Sequence, residues 1–220
     1  MNELYFVTQI LFILLFSYGA FRLGKGALTT SVTVQALLAN LFVLKQMTFF
    51  GLEVTCSDAF AIGSILSLNF LREYFGKESS KKAIQICCFF MIFFVAMSHM
   101  HLRFIPSSSD TAHLAYARLL TPAPRLLFAS LGVFYLVQHL DIRLFGWIST
   151  LLPKSTFPMR SSISLVLSQF IDTVLFSFLG LWGLVAHVGH IIAISFLVKV
   201  CIILILGPFM AFFKRIQTDV

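Results

Sequence analysis

The sequence has 220 residues, of which 59% are apolar and only 11% are charged, and its mean hydropathy is +0.94. Soluble domains carry about 25% charged residues, so this composition excludes a soluble globular protein and indicates an integral membrane protein. The net charge of +7 is interpreted as a signal of membrane topology rather than of nucleic-acid binding, and we predict no direct nucleic-acid partner.

Apolar segments of about 20 residues, the length that a helix needs to cross a bilayer, follow one another along the chain. They cover residues 3–22, 27–48, 55–75, 83–104, 123–140, 161–185 and 189–213. We therefore predict an all-α, polytopic membrane helical bundle of about seven transmembrane helices (six to seven), because three segments are diluted by Thr, Ser, Gln and Asn. The first segment is predicted to be a helix rather than a signal peptide, since Met1–Leu4 contains Glu3 and no Lys or Arg, the apolar run is longer than a signal core, and no small-x-small cleavage site follows.

Basic residues in the connections predict the orientation. Eleven of the 16 Lys and Arg residues fall on one side of this arrangement, which by the positive-inside rule places the N-terminus outside and the C-terminus inside. The longest connection, "IPSSSDTAHLAYARLLTPAP" at 105–124, falls on the outer side, and its partly apolar middle predicts a short interfacial helix or lid. We expect residues 1–220 to form one integral membrane domain in contact with lipid.

Signals for enzymatic chemistry are weak. No Walker-type phosphate loop occurs, so the chain does not hydrolyse ATP by that route. The four cysteines form no C-x-x-C pair and are interpreted as packing residues. The pairs His99/His101 and His187/His190 have a spacing that suits a metal, but we expect no carboxylate or cysteine nearby to complete a site. We predict no metal and no cofactor, and a membrane-embedded enzyme using these histidines is the least supported alternative.

Charged residues inside the apolar segments are more informative. In "SLVLSQFIDTVLFSFLGLWGLV", Asp172 and Gln169 lie in the middle of an apolar run, where a carboxylate costs at least about 2.5 kcal/mol on insertion scales. Lys199 lies midway along the last segment. Because successive helices run antiparallel, we predict that Asp172 and Lys199 lie at similar depth. The pair either locks two helices together, or lines a substrate cavity or relays a proton.

A second set of polar residues is predicted near the inner surface. Asn69 and Glu73 share one face of the third segment, four residues apart. Gln138 and Asp141 lie at a similar depth, as does Arg160 before the sixth segment. Such a set either extends its charged ends to the lipid headgroups or forms a charged rim that gates the inner mouth.

Four blocks carry a family resemblance: "LLANLFVLKQMTFFGLEVTCSDAFAIGS", "NFLREYFGKESSKKA", "PRLLFASLGVFYLVQHLDIRLF" and "RSSISLVLSQFIDTVLFSFLGLWG". With their polar positions in this order, the chain resembles the queuosine precursor transporter family, formerly described as vitamin-uptake-like. The resemblance implies import of a 7-deazaguanine base (queuine, 7-aminomethyl-7-deazaguanine or 7-cyano-7-deazaguanine) for salvage into tRNA. The matching positions are Asn40, Lys45, Glu73, Gly76, Arg125, Gln138, Asp141, Arg160, Ser164, Gln169 and Asp172. Many relatives carry Asp where this chain has Asn69, so this chain either lacks proton coupling or uses Glu73 or Asp172 for it. The resemblance also implies a location in the inner membrane of a bacterium.

The chemistry of such a base fits these residues. A carboxylate such as Asp172 accepts both hydrogen-bond donors of a guanine-like edge, while Gln169 or Asn40 donates to its carbonyl oxygen. Phe170 and Phe176 are placed to stack on the ring. The predicted substrate-binding residues are Asn40, Ser164, Gln169, Phe170, Asp172, Phe176 and Lys199, and the predicted gating or coupling residues are Asn69, Glu73, Arg125, Gln138, Asp141 and Arg160.

Two alternatives stay open at this point. The chain is either a transporter by itself or the substrate-binding subunit of an energised vitamin or nucleobase uptake complex that contains a separate ATPase. Small residues in "FSFLGLWG" can pack helices within one chain or between two, so a homo-oligomer is a second open question.

Overall fold

A computed structural model describes residues 1–155 and 157–201, apart from the side chains of Gln138, Ile142, Phe157, Pro158, Ser161 and Ser162. The helices and strands are α1 (Asn2–Leu23), α2 (Lys25–Phe42), β1 (Gln46–Phe49), β2 (Leu52–Thr55), α3 (Asp58–Phe75), α4 (Lys77–His101), α5 (His113–Leu120), α6 (Ala123–Leu151), α7 (Phe157–Phe176), a π-helix (Ser177–Leu181) and α8, described over Val188–Cys201. Helices thus dominate the described chain, as the sequence predicted.

The first four helices form two tight antiparallel pairs. A single residue, Gly24, links α1 to α2, and Gly76 alone links α3 to α4. Gly76 has a φ angle of 84°, a backbone conformation that residues with a Cβ rarely adopt. The glycine of the E-x-x-G motif therefore lets the chain reverse direction without a loop.

The main apolar core lies between α2, α3 and α4. Leu28 on α2 and Leu66 and Phe70 on α3 are completely buried in it. Phe21 of α1 stacks on Phe70 with the ring centroids 5.1 Å apart. Each completely buried Leu or Phe side chain contributes about 1.5–3 kcal/mol relative to an exposed position, so this contact fixes α1 to α3.

The outer faces of the bundle are apolar. Four segments of the described chain are long and apolar enough to cross a membrane: Asn2–Leu23, Lys77–His101, His113–Leu151 and Ile163–Leu181. In the apolar windows of the first two, only 17% of the residues are buried inside the protein, so most of their side chains are left to lipid. The all-α membrane class is confirmed, and the seven spans and their orientation stay predictions.

The predicted second span, 27–48, is wrong in its last third. Helix α2 ends at Phe42, and the following residues form a hairpin in which β1 pairs antiparallel with β2, Gln46 opposite Thr55. Phe50 and Gly51 form its turn with φ angles of 48° and 81°, the two positive values of a type I′ turn. The segment is rich in β-branched and aromatic residues, which favour strands over helix.

The hairpin closes one end of the bundle, which we call the hairpin end. The side-chain amide of Asn2 donates to the Thr48 carbonyl at 2.8 Å. On the other side, the Ala186 N–H donates to the Gln46 side chain at 3.2 Å. The N-terminus, the hairpin and the α7–α8 connection therefore lie together, as expected for antiparallel neighbours.

Three other spans also differ from their predicted bounds. The predicted 55–75 helix begins at Asp58, because β2 occupies the residues before it. The predicted 123–140 helix continues to Leu151 in the structure. The predicted 161–185 helix changes into the π-helix after Phe176 and ends at Leu181.

The short helix expected in the 105–124 connection is present as α5. Of the predicted 189–213 span, the part after Cys201 lies outside the described residues.

Candidate functional site

Four polar residues at intervals of four form one line along α7, which we call the α7 stripe: Arg160, Ser164, Ser168 and Asp172. Residues four apart lie on the same face of a helix. At about 1.5 Å per residue, the stripe extends over about 18 Å, more than half of a bilayer's apolar thickness. It is a polar track within an apolar helix.

Asp172 at one end of the stripe forms an ion pair with Lys199 of α8. The Lys199 ammonium donates to Asp172 Oδ2 at 2.6 Å. The predicted proximity of the two residues is confirmed. The Asp172 side chain is 27% exposed and the Lys199 side chain 14%, so the pair is only partly buried.

A second carboxylate faces the same helix. Ser195, one turn before Lys199 on α8, donates its hydroxyl to Asp58 Oδ2 at 2.8 Å. Asp58 was not among the site residues predicted from the sequence. Ser195 and Lys199 are four residues apart, so the sequence indicates that they share one face of a helix. That Asp58 lies against this face is seen only in the structure.

Asp141 of α6 lies against the middle of the stripe. Its Oδ1 atom accepts hydrogen bonds from the hydroxyls of Ser164, at 2.7 Å, and Ser168, at 2.6 Å. Both serines are buried. Asp141 therefore joins α6 to α7 through two serines, whereas the sequence analysis placed it in a network with Arg160. The Arg160 Nε atom is buried without a hydrogen-bond partner in the described part of the chain.

Removing both serine hydroxyls leaves the partly buried carboxylate of Asp141 without these two donors. We expect the double variant Ser164→Ala/Ser168→Ala to lower the free energy of unfolding by about 1–3 kcal/mol, the usual cost of leaving a buried polar group without its hydrogen bonds. The thermal midpoint of the purified protein in detergent measures this loss. Ser149→Ala is the matched control, since that hydroxyl donates only to Phe145 in its own helix. Equal midpoints for the two variants would contradict the expectation.

Arg125, a predicted gating or coupling residue, lies at the far end of the π-helix. Its Nε and Nη2 atoms donate to the carbonyls of Leu179, at 3.0 Å, and Trp182, at 2.7 Å. Carbonyls at a helix end have no partner within the helix, so the guanidinium satisfies them. Arg125 thus ties the start of α6 to the irregular end of the α7 segment.

Substituting Arg125 tests this role. Arg125→Lys keeps the positive charge but cannot span two carbonyls with a planar fork, so we expect it to lower stability almost as much as Arg125→Ala does. Thermal midpoints of the two variants in detergent measure the difference. Full stability of the lysine variant would show that charge alone matters at this position.

Asn40 lies apart from the stripe. Its amide donates to the Ala36 carbonyl at 2.9 Å, and its Oδ1 atom is buried without a partner among the described residues. A small cavity beside it is lined by residues of α2, α4, α5 and α6, with none from α7. The structure therefore does not bring Asn40 and Asp172 together in that cavity.

The predicted aromatic residues differ in their surroundings. Phe170 is largely exposed and contacts Phe196 of α8 edge to face, with the ring centroids 5.1 Å apart. Phe176 packs inside an apolar cluster with Leu126 and Leu181 instead. Of the two, Phe170 is the ring that remains available to stack on a ligand.

The remaining predicted residues have these places. Gln169 lies on α7 and its carbonyl accepts the Thr173 hydroxyl at 2.8 Å. Asn69 and Glu73 lie on α3, one turn apart. Gln138 lies on α6, and its side chain is outside the described part of the chain.

One expectation about the histidines is wrong. Glu53 of β2 lies beside the His187/His190 pair, with its carboxylate 3.9 Å from His187 Nε2. Its N–H also donates to His190 Nδ1 at 3.4 Å. A carboxylate is near because the hairpin, which the sequence analysis took for helix, carries it there. The described residues nevertheless include no cluster of three side chains arranged to hold a metal.

Comparison with known proteins agrees with this architecture. Residues 59–213 match the family described as "Putative vitamin uptake transporter". The chain is also 27% identical over 207 residues to the "Probable queuosine precursor transporter" of Bacillus subtilis (strain 168), covering 92% of this chain and 89% of that protein. No solved structure matches.

The family match extends over most of the chain, from α3 past the last described residue. A polar stripe within apolar helices suits transport, and the family is one of transport proteins rather than enzymes. This chain is therefore a multi-pass membrane transport protein that belongs to the vitamin uptake transporter family.

Proposed function

We propose that this protein imports queuosine precursors, bases of the 7-deazaguanine class, across the bacterial inner membrane for salvage into tRNA. The observation that carries the proposal is the partly open Asp172–Lys199 pair at the end of the α7 stripe. It lies in a chain similar to a probable queuosine precursor transporter over nearly its whole length. Residues 1–220 form the single transporter domain.

The ion pair suits recognition of a guanine-like edge. Lys199 binds Asp172 Oδ2, which leaves Oδ1 to accept the donors of the base. Gln169, one turn before Thr173 on the same helix, supplies an amide for the carbonyl of the base, and Phe170 stacks on its ring. A site of paired buried groups discriminates strongly against ligands that leave those groups unpaired, so adenine-like bases bind poorly.

The α7 stripe supplies a path from this pair toward the other end of the bundle. Ser168 and Ser164, held by Asp141, follow Asp172 at intervals of one turn. Arg160, whose Nε atom lacks a partner in the described chain, comes next. We assign the inner gate to Arg160 together with Glu73 of α3.

Complementation with a tRNA readout tests the proposal. Bacteria that cannot make queuosine and lack their own importer would express this protein and receive a limiting supply of one base at a time. Each strain would carry the enzyme that inserts that base, and queuosine in tRNA would be quantified. Restoration with at least one base supports the proposal. Absence of queuosine with every base, from protein shown to be in the membrane, would contradict it.

The same strains distinguish a self-sufficient transporter from a subunit of a larger complex. If import persists in a host that lacks the ATPase subunits of its vitamin importers, the chain works alone. Import that returns only when such subunits are supplied would make the chain the substrate-binding subunit of an energised complex.

A further inference from the structure

A cavity of about 190 Å³ lies away from the α7 stripe, between the last turn of α4, the connection that follows it and α5. Rings and polar groups share its walls: His101, Phe104, Ser107, Asp110, His113 and Tyr116. The His101 ring packs edge to face against Phe104 and Tyr116, with the ring centroids 6.0 and 5.6 Å apart. A cavity of about 150 Å³ already holds a benzene ring, so this one admits a small bicyclic molecule.

One carboxylate oxygen of this cavity is unused. Asp110 Oδ1 accepts the backbone N–H groups of Ala112, at 2.7 Å, and His113, at 3.2 Å. Asp110 Oδ2 has no hydrogen-bond partner among the residues that the structure describes. Because the backbone already orients the carboxylate through Oδ1, its second oxygen can bind a ligand at a small entropic cost.

Resting on the proposed function for the identity of its ligand, we infer that this cavity is a capture site, which binds the guanine-like base before the base enters the bundle. Asp110 Oδ2 accepts the N–H donors of the base, and the rings of Phe104 and Tyr116 pack against its flat face. An adenine-like base presents a ring acceptor at that edge, which a carboxylate repels. The three queuosine precursors share the donor edge, so the capture site takes each of them.

The position of the cavity suits capture from outside. Helix α3 begins next to the hairpin and Gly76 turns the chain back, so α4 ends at the hairpin end, which the basic residues predict to be outside. Tyr116 of α5 lines the capture site, whereas Leu119 and Leu120, about one turn later, line the small cavity beside Asn40. Helix α5 therefore separates the two cavities.

The cavity beside Asn40 is the next polar point on the way into the bundle. Val95 in its wall precedes His101 by six residues, which places it about 9 Å deeper along α4. Its volume of about 10 Å³ has room for one water, so the base is held on the outer side of α5 in this conformation. The buried Asn40 Oδ1 atom lacks a partner in the described chain, and a donor on the base satisfies it once α5 moves.

Import measured against concentration tests the capture site. In the complementing strains, the initial rate of import would be measured for queuine, 7-aminomethyl-7-deazaguanine and 7-cyano-7-deazaguanine in turn. Asp110→Asn keeps an oxygen for the N–H groups of Ala112 and His113, but replaces the free oxygen with an NH₂ group that opposes the donors of the base. We expect the half-saturating concentration to rise about tenfold, the effect of a lost charged hydrogen bond, and the rate at saturation to stay unchanged.

Two controls and a second variant accompany this measurement. Glu78→Gln, on an exposed carboxylate that pairs with Lys81 at the other end of α4, should change neither quantity. Tyr116→Leu removes a ring from the wall and should raise the half-saturating concentration severalfold, whereas Tyr116→Phe keeps the ring and should not.

The outcomes separate the capture site from the proposed function. An unchanged half-saturating concentration in either Asp110→Asn or Tyr116→Leu overturns the capture site while normal import leaves the proposed function standing. A loss confined to the rate at saturation also overturns it, since that would indicate a structural role. If the wild type imports none of the three bases, the proposed function fails, and the capture site fails with it because its ligand depends on that function.

Discussion

Replacing Asp172 with asparagine should abolish import of the base while the protein still reaches the membrane. The substitution removes the charge that Lys199 holds at 2.6 Å and the carboxylate oxygen left for the substrate. It also leaves the ammonium of Lys199, only 14% exposed, without its hydrogen-bonded partner. Removing one member of a fully buried pair costs about 3–5 kcal/mol, and this pair is partly exposed, so we expect a smaller loss of stability together with loss of queuosine in tRNA.

A double variant separates the two effects. In Asp172→Asn/Lys199→Gln both charges are gone, and removal of a whole buried pair is often close to neutral for stability. If the pair recognises substrate, membrane abundance and the thermal midpoint recover in the double variant but import does not. If the pair only locks α7 to α8, import recovers together with stability. Recovery of import would therefore contradict our proposal for Asp172.

The Asp172–Lys199 contact was predictable from the sequence because it depends only on two charges and on the direction of two neighbouring helices. Two charges in neighbouring apolar helices have few stable positions other than beside each other, and antiparallel connectivity fixes their depth. The membrane class was predictable for a similar reason, since composition alone determines it. Both inferences depend on the solvent around the chain rather than on details of packing.

The hairpin shows where such reasoning fails. The segment after Phe42 is apolar enough to continue α2, and hydropathy does not distinguish an apolar strand from an apolar helix. The positive φ angles at Phe50 and Gly51 distinguish them in the structure, and the sequence signal was an aromatic–glycine pair rather than the usual Asn-Gly turn. Missing the hairpin also concealed the position of Glu53, which lies on β2, and that of Asp58, which begins α3 just after the hairpin.

Contacts between distant helices were the least predictable part of the site. Arg125 was expected to take part in gating or coupling because the family resemblance included it, and its contact with the end of the π-helix was not foreseen. A π-helix has no reliable signature in a single sequence, so the carbonyls at its end that Arg125 binds could not be foreseen. The serine partners of Asp141 were hidden similarly, since they depend on how α6 is rotated against α7.

Helix packing supplies the second large expected effect, at Gly63 of α3. A methyl group there would overlap the side chains of Gln35 on α2 and Ile13 on α1. Gln35 cannot easily move aside, because it is buried and donates to Ser17, at 3.3 Å, and Ser31, at 2.6 Å. We expect Gly63→Ala to lower the free energy of unfolding by about 1–3 kcal/mol, the usual cost of overpacking.

Three further variants, Gly132→Ala, Gln35→Ala and the double variant Gly63→Ala/Gln35→Ala, make the Gly63 test specific. Gly132→Ala on α6 is the matched control, since a methyl group there meets nothing within 4 Å. It should raise stability by about 0.5–1 kcal/mol through helix propensity. Combining Gly63→Ala with Gln35→Ala opens the space that the methyl group needs, so the pair should lose less stability than the sum of its single variants. The thermal midpoint in detergent is measured for all four variants. If the stability losses of Gly63→Ala and Gln35→Ala simply add in the double variant, the two side chains do not compete for the same space.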